Sequence, residues 1–180
     1  MRPPARTGPY IQTMERTRWV DRTFTFDIPT GWIPNIAERL RGTHPRLVWM
    51  TRDLDAARTC MQHDGKWSIR QHIGHLIDLD VLHEGRVDDY IAQASELRPA
   101  DMTNAATEHA AHNERPLEEL LERFARSRRH FVDRIVGLDE DVLSCPILHP
   151  RLQRTMRPVD MAYFVAEHDD HHLASIRSLL

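Results

Sequence analysis

The chain has 180 residues, a length that fits one domain with a short extension. Apolar residues make up 41% of it and mean hydropathy is -0.55, and the absence of a run of about 18 apolar residues argues against a transmembrane helix. A net charge of -3, from 24 basic and 27 acidic residues, gives no strong attraction to nucleic acid or to an anionic membrane. We therefore expect no nucleic-acid or membrane partner. Two cysteines without a C-x-x-C pair predict a protein of the reducing cytoplasm.

The N-terminal part is predicted to be an extension, residues 1–29, ahead of a helical domain over residues 30–180. Its first residues are polar and rich in proline, and no apolar stretch of the kind found in a secretory signal follows them. Residues 24–28 alternate apolar and polar side chains, which predicts a short extended segment packed on the body of the protein.

The first helix is predicted to begin near Trp32, where apolar residues start to recur with a helical period. Gly42 marks its end. Thr43 is then a suitable N-cap for a second segment, with Pro45 in its first turn, that extends to about Ala57.

The next helix carries the clearest start signal in the chain. Ser68 is a suitable N-cap and Gln71 follows three residues later, as a capping box requires. Trp67 precedes the cap, where its ring can pack back on the helix. The apolar pattern continues to about Ala94, which corresponds to roughly 40 Å of helix.

Two further long helices are predicted, the first opened by Pro116 and ending near Gly137, and the last opened by Pro158. Residues 100–114 are polar and give no clear assignment, and no convincing strand pattern interrupts the helices. The sequence therefore predicts an all-α fold, an antiparallel four-helix bundle. Two packed helical hairpins, with the first helix broken near Gly42, are the alternative layout.

The candidate metal ligands are histidines. The last helix contains Glu167–His172, in which His168 and His172 stand four residues apart on one face, a spacing that lets two imidazoles bind one metal ion. The zincin motif is absent, because Asp169 and not Glu follows the first histidine. A catalytic site usually has three protein ligands and an open position, and His75, surrounded by apolar residues, is the best third candidate.

Ordinary roles compete with metal binding for these histidines. A lone histidine among apolar residues, such as His75, often bonds a backbone carbonyl in the core, and an i,i+4 pair also occurs on wet surfaces. His171 lies about 100° around the helix from His172 and is expected behind the ligands or at the surface. Four histidines receive no assigned role: His72, His109, His112 and His171.

Charged clusters at helical spacing are expected to be solvated faces. The expectation covers two sets, the acids Glu167, Asp169 and Asp170 and the arginines Arg126, Arg128 and Arg129. For the three acids, orienting an imidazole or handling a proton is the alternative role.

Two motifs resemble the DinB/YfiT-like superfamily of metal-dependent four-helix proteins, which is unrelated to the DNA polymerase of the same name. They are W-S-I-R-Q-H-I-G-H-L-I-D at residues 67–78 and F-V-A-E-H-D-D-H-H-L at residues 164–173. The likeness covers roughly residues 30–180. It implies that one divalent metal is bound by His75 on the second bundle helix and by His168 and His172 on the last helix.

The resemblance leaves two classes of function open. Members with assigned activities look like thiol S-transferases that use bacillithiol or mycothiol, or like a maleylpyruvate isomerase with a thiol cofactor. It thus implies an enzyme, a transferase or a hydrolase, with a small-molecule substrate, a low-molecular-weight thiol and one divalent ion, Zn or Ni before Fe. The alternative is a non-catalytic, stress-associated metal-binding protein. The resemblance also implies a homodimer.

Overall fold

The computed structural model describes residues 16–180, which form eight α-helices and one two-stranded hairpin. The helices are α1 (Ile33–Arg41), α2 (Thr43–Thr51), α3 (Ala56–Cys60), α4 (Ile69–Ile91), α5 (Ala105–His109), α6 (Leu117–Val136), α7 (Glu140–Leu143) and α8 (Pro158–Arg177). The strands are β1 (Ile147–His149) and β2 (Arg154–Met156), paired antiparallel with Ile147 opposite Met156. Over residues 16–180, no helix combines the length and the apolar content that a membrane span requires.

Four helical units form the body of the protein: α1 continued by α2, then α4, α6 and α8. Helix α1 packs on α6 and α8, and α4 packs on the same two helices. The predicted all-α four-helix bundle is therefore confirmed.

The first helix is broken where the sequence indicated, because α1 ends just before Gly42 and α2 begins just after it. Thr43 does not cap α2, and its hydroxyl donates instead to the carboxylate of Asp169 at 2.7 Å. The second segment ends at Thr51 and does not reach Ala57, because Asp55 caps the separate helix α3.

Helix α4 runs antiparallel to α8 and parallel to α6. His72, near the start of α4, contacts His172 late in α8, whereas the Tyr90 hydroxyl donates to the Met156 carbonyl just before α8. Neighbouring helices that run parallel cannot be joined by a tight turn, so a long crossover is needed. The crossover from α4 to α6, residues 92–116, contains α5 and a 3-10 turn.

The hairpin corrects the prediction that no strand interrupts the helices. Ile147 and Met156 are buried and pair across it, and the Leu97 N–H donates to the Leu148 carbonyl at 2.9 Å. Three-residue strands flanked by Pro146 are too short to produce a visible alternation in the sequence.

The extended segment at residues 24–28 packs on the body, as predicted. Phe24 is buried in the apolar core, and the N–H groups of Asp27 and Ile28 donate to the Asp160 carboxylate at 3.0 and 2.9 Å. The first part of the predicted polar tail, residues 1–15, lies outside the described residues.

The bundle interior consists of two apolar clusters with a polar layer between them. The first cluster includes Ala166 of α8 and Phe131 of α6. The second includes Leu173 of α8 and Phe124 of α6. The positions between the clusters hold buried charged residues and histidines.

An ion network in this layer joins all four helical units. The Arg128 guanidinium on α6 pairs with Asp169 on α8 and, at 3.0 Å, with Asp80 on α4. Thr43 on α2 donates to Asp169, and Ser127 donates to Asp80 at 2.7 Å. Arg128 is only 2% exposed, so the expectation of a solvated arginine face is wrong for this residue. A charged side chain is stable at such depth only when it is paired.

We expect that Arg128→Met lowers the free energy of unfolding by about 3–5 kcal/mol, because two buried carboxylates lose their shared cation. Urea denaturation measures this change. Arg126→Met is the matched control on the same helix, since Arg126 is exposed and lies 3.8 Å from Glu122. The control should change stability by less than about 0.5 kcal/mol. Equally small changes in both variants would contradict the structural role of the network.

Candidate metal centre

The start of α4 is fixed by the predicted capping box, and this places His75 two turns into the helix. The Ser68 hydroxyl accepts from the Gln71 N–H at 3.1 Å, and the Gln71 side chain accepts from the Ser68 N–H at 3.0 Å. The helix ends at Ile91, not near Ala94, because Gln93 adopts a left-handed conformation with φ of 51°.

Helix α8 begins at Pro158, as predicted, and turns two histidines toward α4. The Asp160 carboxylate accepts from the Arg157 N–H at 3.0 Å and so satisfies one free donor of the first turn. His168 and His172 lie one turn apart on the buried face of the helix.

The three predicted ligands, His75, His168 and His172, come together inside the bundle. Each offers one ring nitrogen, and these nitrogens all lie within 4.8 Å of one another. The Nε2 atoms of His168 and His172 are 3.2 Å apart. Two nitrogens bound to one tetrahedral zinc ion would be separated by about 3.3 Å, given Zn–N bonds of about 2.0–2.1 Å. This donor set therefore fits a divalent ion.

The electrostatics of the cluster keep all three imidazoles neutral, which leaves lone pairs for a metal. The exposed fractions of His75, His168 and His172 are 5%, 7% and 5%. Burial lowers the pKa of His75 to about 4, against the opposing effect of Asp78. Burial and the neighbouring histidines hold the pKa values of His168 and His172 well below their ordinary value.

A hydrogen-bonded chain behind His75 sets its tautomer. His75 Nδ1 is 3.0 Å from the Thr107 hydroxyl, which donates to Asp78 Oδ2 at 2.9 Å, and His112 Nε2 donates to the same oxygen at 2.9 Å. Since the Thr107 proton is used on Asp78, Nδ1 of His75 must be the donor in their bond. The other nitrogen, Nε2, then carries the lone pair. Carboxylate–histidine arrangements of this kind orient metal ligands in many proteins.

Sequence reasoning missed most of this chain of contacts, because residues 100–114 gave no clear period. Asp78 was within reach of inference, since it follows His75 by three residues on the same face of α4. Gly74 was the other available signal. A Cβ atom there would lie 2.2 Å from the His112 ring, so glycine allows the ring to rest against α4.

His72 supports a second ligand. Its Nδ1 lies 2.8 Å from Nδ1 of His172, which leaves Nε2 of His172 facing the cluster. Burial lowers the pKa of His72 to about 3, so the ring is neutral and can accept this bond. Trp67 covers the same side and packs 4.7 Å from the His75 ring and 6.2 Å from the His172 ring. The tryptophan predicted to pack on the helix start thus lies over the site.

The acids around the ligands hold the helices in place. Asp169 is fully buried against Arg128, so the expectation of a solvated face is wrong for it. Glu167 and Asp170 both bind Arg39 on α1, at 2.6 and 3.0 Å. Within residues 16–180, none of these three carboxylates hydrogen-bonds a candidate ligand.

One side of the histidine cluster faces a cavity of about 90 Å³. His75 and His168 line it, together with the rings of Trp19 and Phe164. Within residues 16–180, the cluster of potential ligands contains the three histidines and no fourth side chain. A metal held there would therefore keep a coordination position for water or another small ligand.

Similarity to a known protein family agrees with this architecture. A family model described as the DinB superfamily matches residues 39–176. This chain belongs to the DinB superfamily. No curated protein shows significant similarity to it.

Solved structures with a similar fold include the following two. YfiT from Bacillus subtilis, described as a probable metal-dependent hydrolase with an unusual four-helix bundle topology, is 16% identical with a TM-score of 0.75, over 88% of this chain and 91% of its own. The mycothiol-dependent maleylpyruvate isomerase is 13% identical with a TM-score of 0.65, over 83% of this chain and 61% of its own. At these identities the likenesses show the fold.

Replacing His168 with Ala should remove most of the metal affinity, because one of three ligands is lost. Replacing His171 with Ala should weaken binding at most roughly 10- to 100-fold, since its ring lies behind His172. Metal content by mass spectrometry, after dialysis against a weak chelator, separates the two variants. Equal metal loss from the two variants would mean that the ligands within residues 168–172 are wrongly assigned.

Thr107→Val should weaken metal binding about 10- to 100-fold, because Nδ1 of His75 loses its acceptor while the side-chain shape is kept. Competition with a chromogenic chelator measures the affinity. Thr103→Val on the same crossover is the control, since Thr103 is exposed and its hydroxyl bonds Asp101. If Thr107→Val binds metal as tightly as the control does, Thr107 does not position the ligand.

Proposed function

We propose that this chain is a metal-dependent enzyme that joins a low-molecular-weight thiol to an electrophilic small molecule. The observation that carries the proposal is the three-histidine cluster with one side on a cavity. A purely structural zinc site is normally closed by a fourth protein ligand, whereas catalytic sites keep an open position. This feature favours an enzyme over a protein that only stores metal or is stabilised by it.

One divalent ion on three neutral histidines supplies Lewis acidity, which lowers the pKa of a bound thiol or water and provides a nucleophile at neutral pH. The residues of the chain arrange this chemistry. Thr107 and Asp78 hold the His75 tautomer, and His72 holds that of His172. The Trp19 ring packs 4.8 Å from His168 and limits the access of solvent from its side.

A thiol suits the site better than water does, because the carboxylate that lines the cavity within residues 16–180, Asp101, is held by Thr103 and Ala105 and is not free to act as a general base. Hydrolysis by attack of water commonly uses such a base, whereas a thiolate is already a strong nucleophile. In the proposed reaction the sulfur forms a bond to an electrophilic carbon and the bond from that carbon to its leaving oxygen or halide breaks. The leaving atom keeps the electron pair, and the proton released by the thiol neutralises it.

Hydrolysis is the second candidate, and the similarity to YfiT, described as a probable metal-dependent hydrolase, supports it. The similarity to a mycothiol-dependent enzyme supports the thiol reaction. Histidine nitrogens suit zinc, nickel and iron, so the metal is proposed only as one of these divalent ions. The homodimer, the cytoplasmic location and the association with stress stay predictions.

The zinc- or nickel-loaded protein should accelerate addition of bacillithiol, mycothiol or cysteine to an epoxide and to an aryl halide. His75→Ala should reduce the rate by at least about 100-fold, because a ligand is lost, while His109→Ala, an exposed histidine of α5, should keep it. Loss of thiol on mixing measures the rate, and ester hydrolysis runs beside it. If metal raises the melting temperature but no substrate turns over, the site is structural and the proposal fails.

A further inference from the structure

A buried cation without an ion-pair partner among the described residues lies in the wall of the cavity beside the histidines. Arg86 on α4 is only 2% exposed, and its Nε donates to the Arg98 carbonyl at 3.1 Å. Among the described residues its Nη2 has no hydrogen-bond partner and no carboxylate forms an ion pair with it; Asp89, which acts on it at longer range, is paired with Arg98 at 2.7 Å. A buried, unpaired guanidinium costs considerable free energy, so its presence calls for an anion.

Two more donors line the same cavity from the hairpin. Arg151, in the turn after β1, is half-buried and forms no ion pair within residues 16–180. His149 at the end of β1 is buried, and its Nδ1 accepts from the Leu152 N–H at 3.3 Å. The proton of this neutral imidazole therefore sits on Nε2, which is free to donate. Arg86, Arg151 and His149 thus surround one part of the cavity with positive charge and N–H groups.

The acid in this wall is already engaged. Asp101 also lines the cavity, but its carboxylate accepts from the Thr103 N–H at 2.8 Å, from the Thr103 hydroxyl at 2.6 Å and from the Ala105 N–H at 2.8 Å. These bonds tie the Asp101 carboxylate to the crossover segment, so it does not neutralise Arg86 or Arg151.

A single stripe of α4 connects this cationic group with the histidine cluster. His75, Leu79, Leu82 and Arg86 occupy positions i, i+4, i+7 and i+11, which fall on one face of a helix, and all four line the cavity. Leu79 and Leu82 make the middle of the stripe apolar, the buried His83 lines the cavity beside them, and the two ends of the stripe are polar.

We propose that this cavity binds a small carboxylic acid, with its carboxylate on Arg86, Arg151 and the His149 Nε2–H and its other end at the histidine cluster. A carboxylate matches the planar fork of an arginine, and a short hydrocarbon chain matches the leucines between the two ends. The cavity is about 90 Å³, well below the roughly 300–1,000 Å³ of drug-sized sites, so the acid is small. That this acid is the substrate of the enzyme rests on the proposed function.

Calorimetric titration of the zinc-loaded protein with dicarboxylates of three to six carbons, with their neutral diamides and with inorganic phosphate tests the assignment. At least one dicarboxylate should bind, its diamide should bind at least about tenfold more weakly, and phosphate should not compete with it. Retained binding by metal-free protein would support the subsite independently of the metal. Failure of every dicarboxylate, or binding of phosphate alone, would overturn the proposal.

Arginine variants show where the acid binds. Arg86→Met and Arg151→Met should each weaken the dicarboxylate at least about tenfold, while the exposed control Arg126→Met should bind it as the original protein does. Arg86→Met should also raise the melting temperature without ligand, because an unpaired buried charge is removed. A lower melting temperature with unchanged acid binding would make Arg86 a structural residue and overturn the proposal. Acid binding without any thiol or ester turnover would instead refute the proposed function alone.

Discussion

The contact of one buried arginine with two buried carboxylates determines how the bundle is assembled. Arg128 lies between Asp80 of α4 and Asp169 of α8, and Thr43 of α2 donates to the same Asp169. Such a contact tolerates little sliding or rotation of the helices, because any shift would leave a charge unpaired at depth. Asp169 lies directly after His168 and three residues before His172 on α8, so the network also sets the face that these two histidines present to α4.

The topology explains why the site has orienting partners at all. Helices α4 and α6 lie side by side and run in the same direction, so the chain must cross the length of the bundle between them. That crossover carries Thr107 and His112 back to the start of α4, where they and Asp78 fix the His75 tautomer. Gly74 provides the space for this return. The polar layer is thus both the joint between the helices and the place where chemistry is possible.

The sequence allowed prediction of the parts whose signals are local. The capping box at Ser68 and the proline at position 158 define where two helices begin, and an i,i+4 histidine pair follows from the helical period alone. The role of Arg128 was misjudged, because a helical cluster of arginines looks the same whether one member points inward or all point to solvent. The hairpin and the Thr107 contacts depend on tertiary packing of short segments, which leaves no period in the sequence.

X-ray absorption spectroscopy of the zinc-loaded protein tests the central claim most directly, since it reports the ligands of the ion itself. We expect three histidine nitrogens at about 2.0–2.1 Å and one further light atom, and a sulfur at about 2.3 Å should replace that atom when a small thiol is added. His168→Ala should lower the histidine count to two. Four histidine ligands with no response to thiol would describe a closed site and contradict the account.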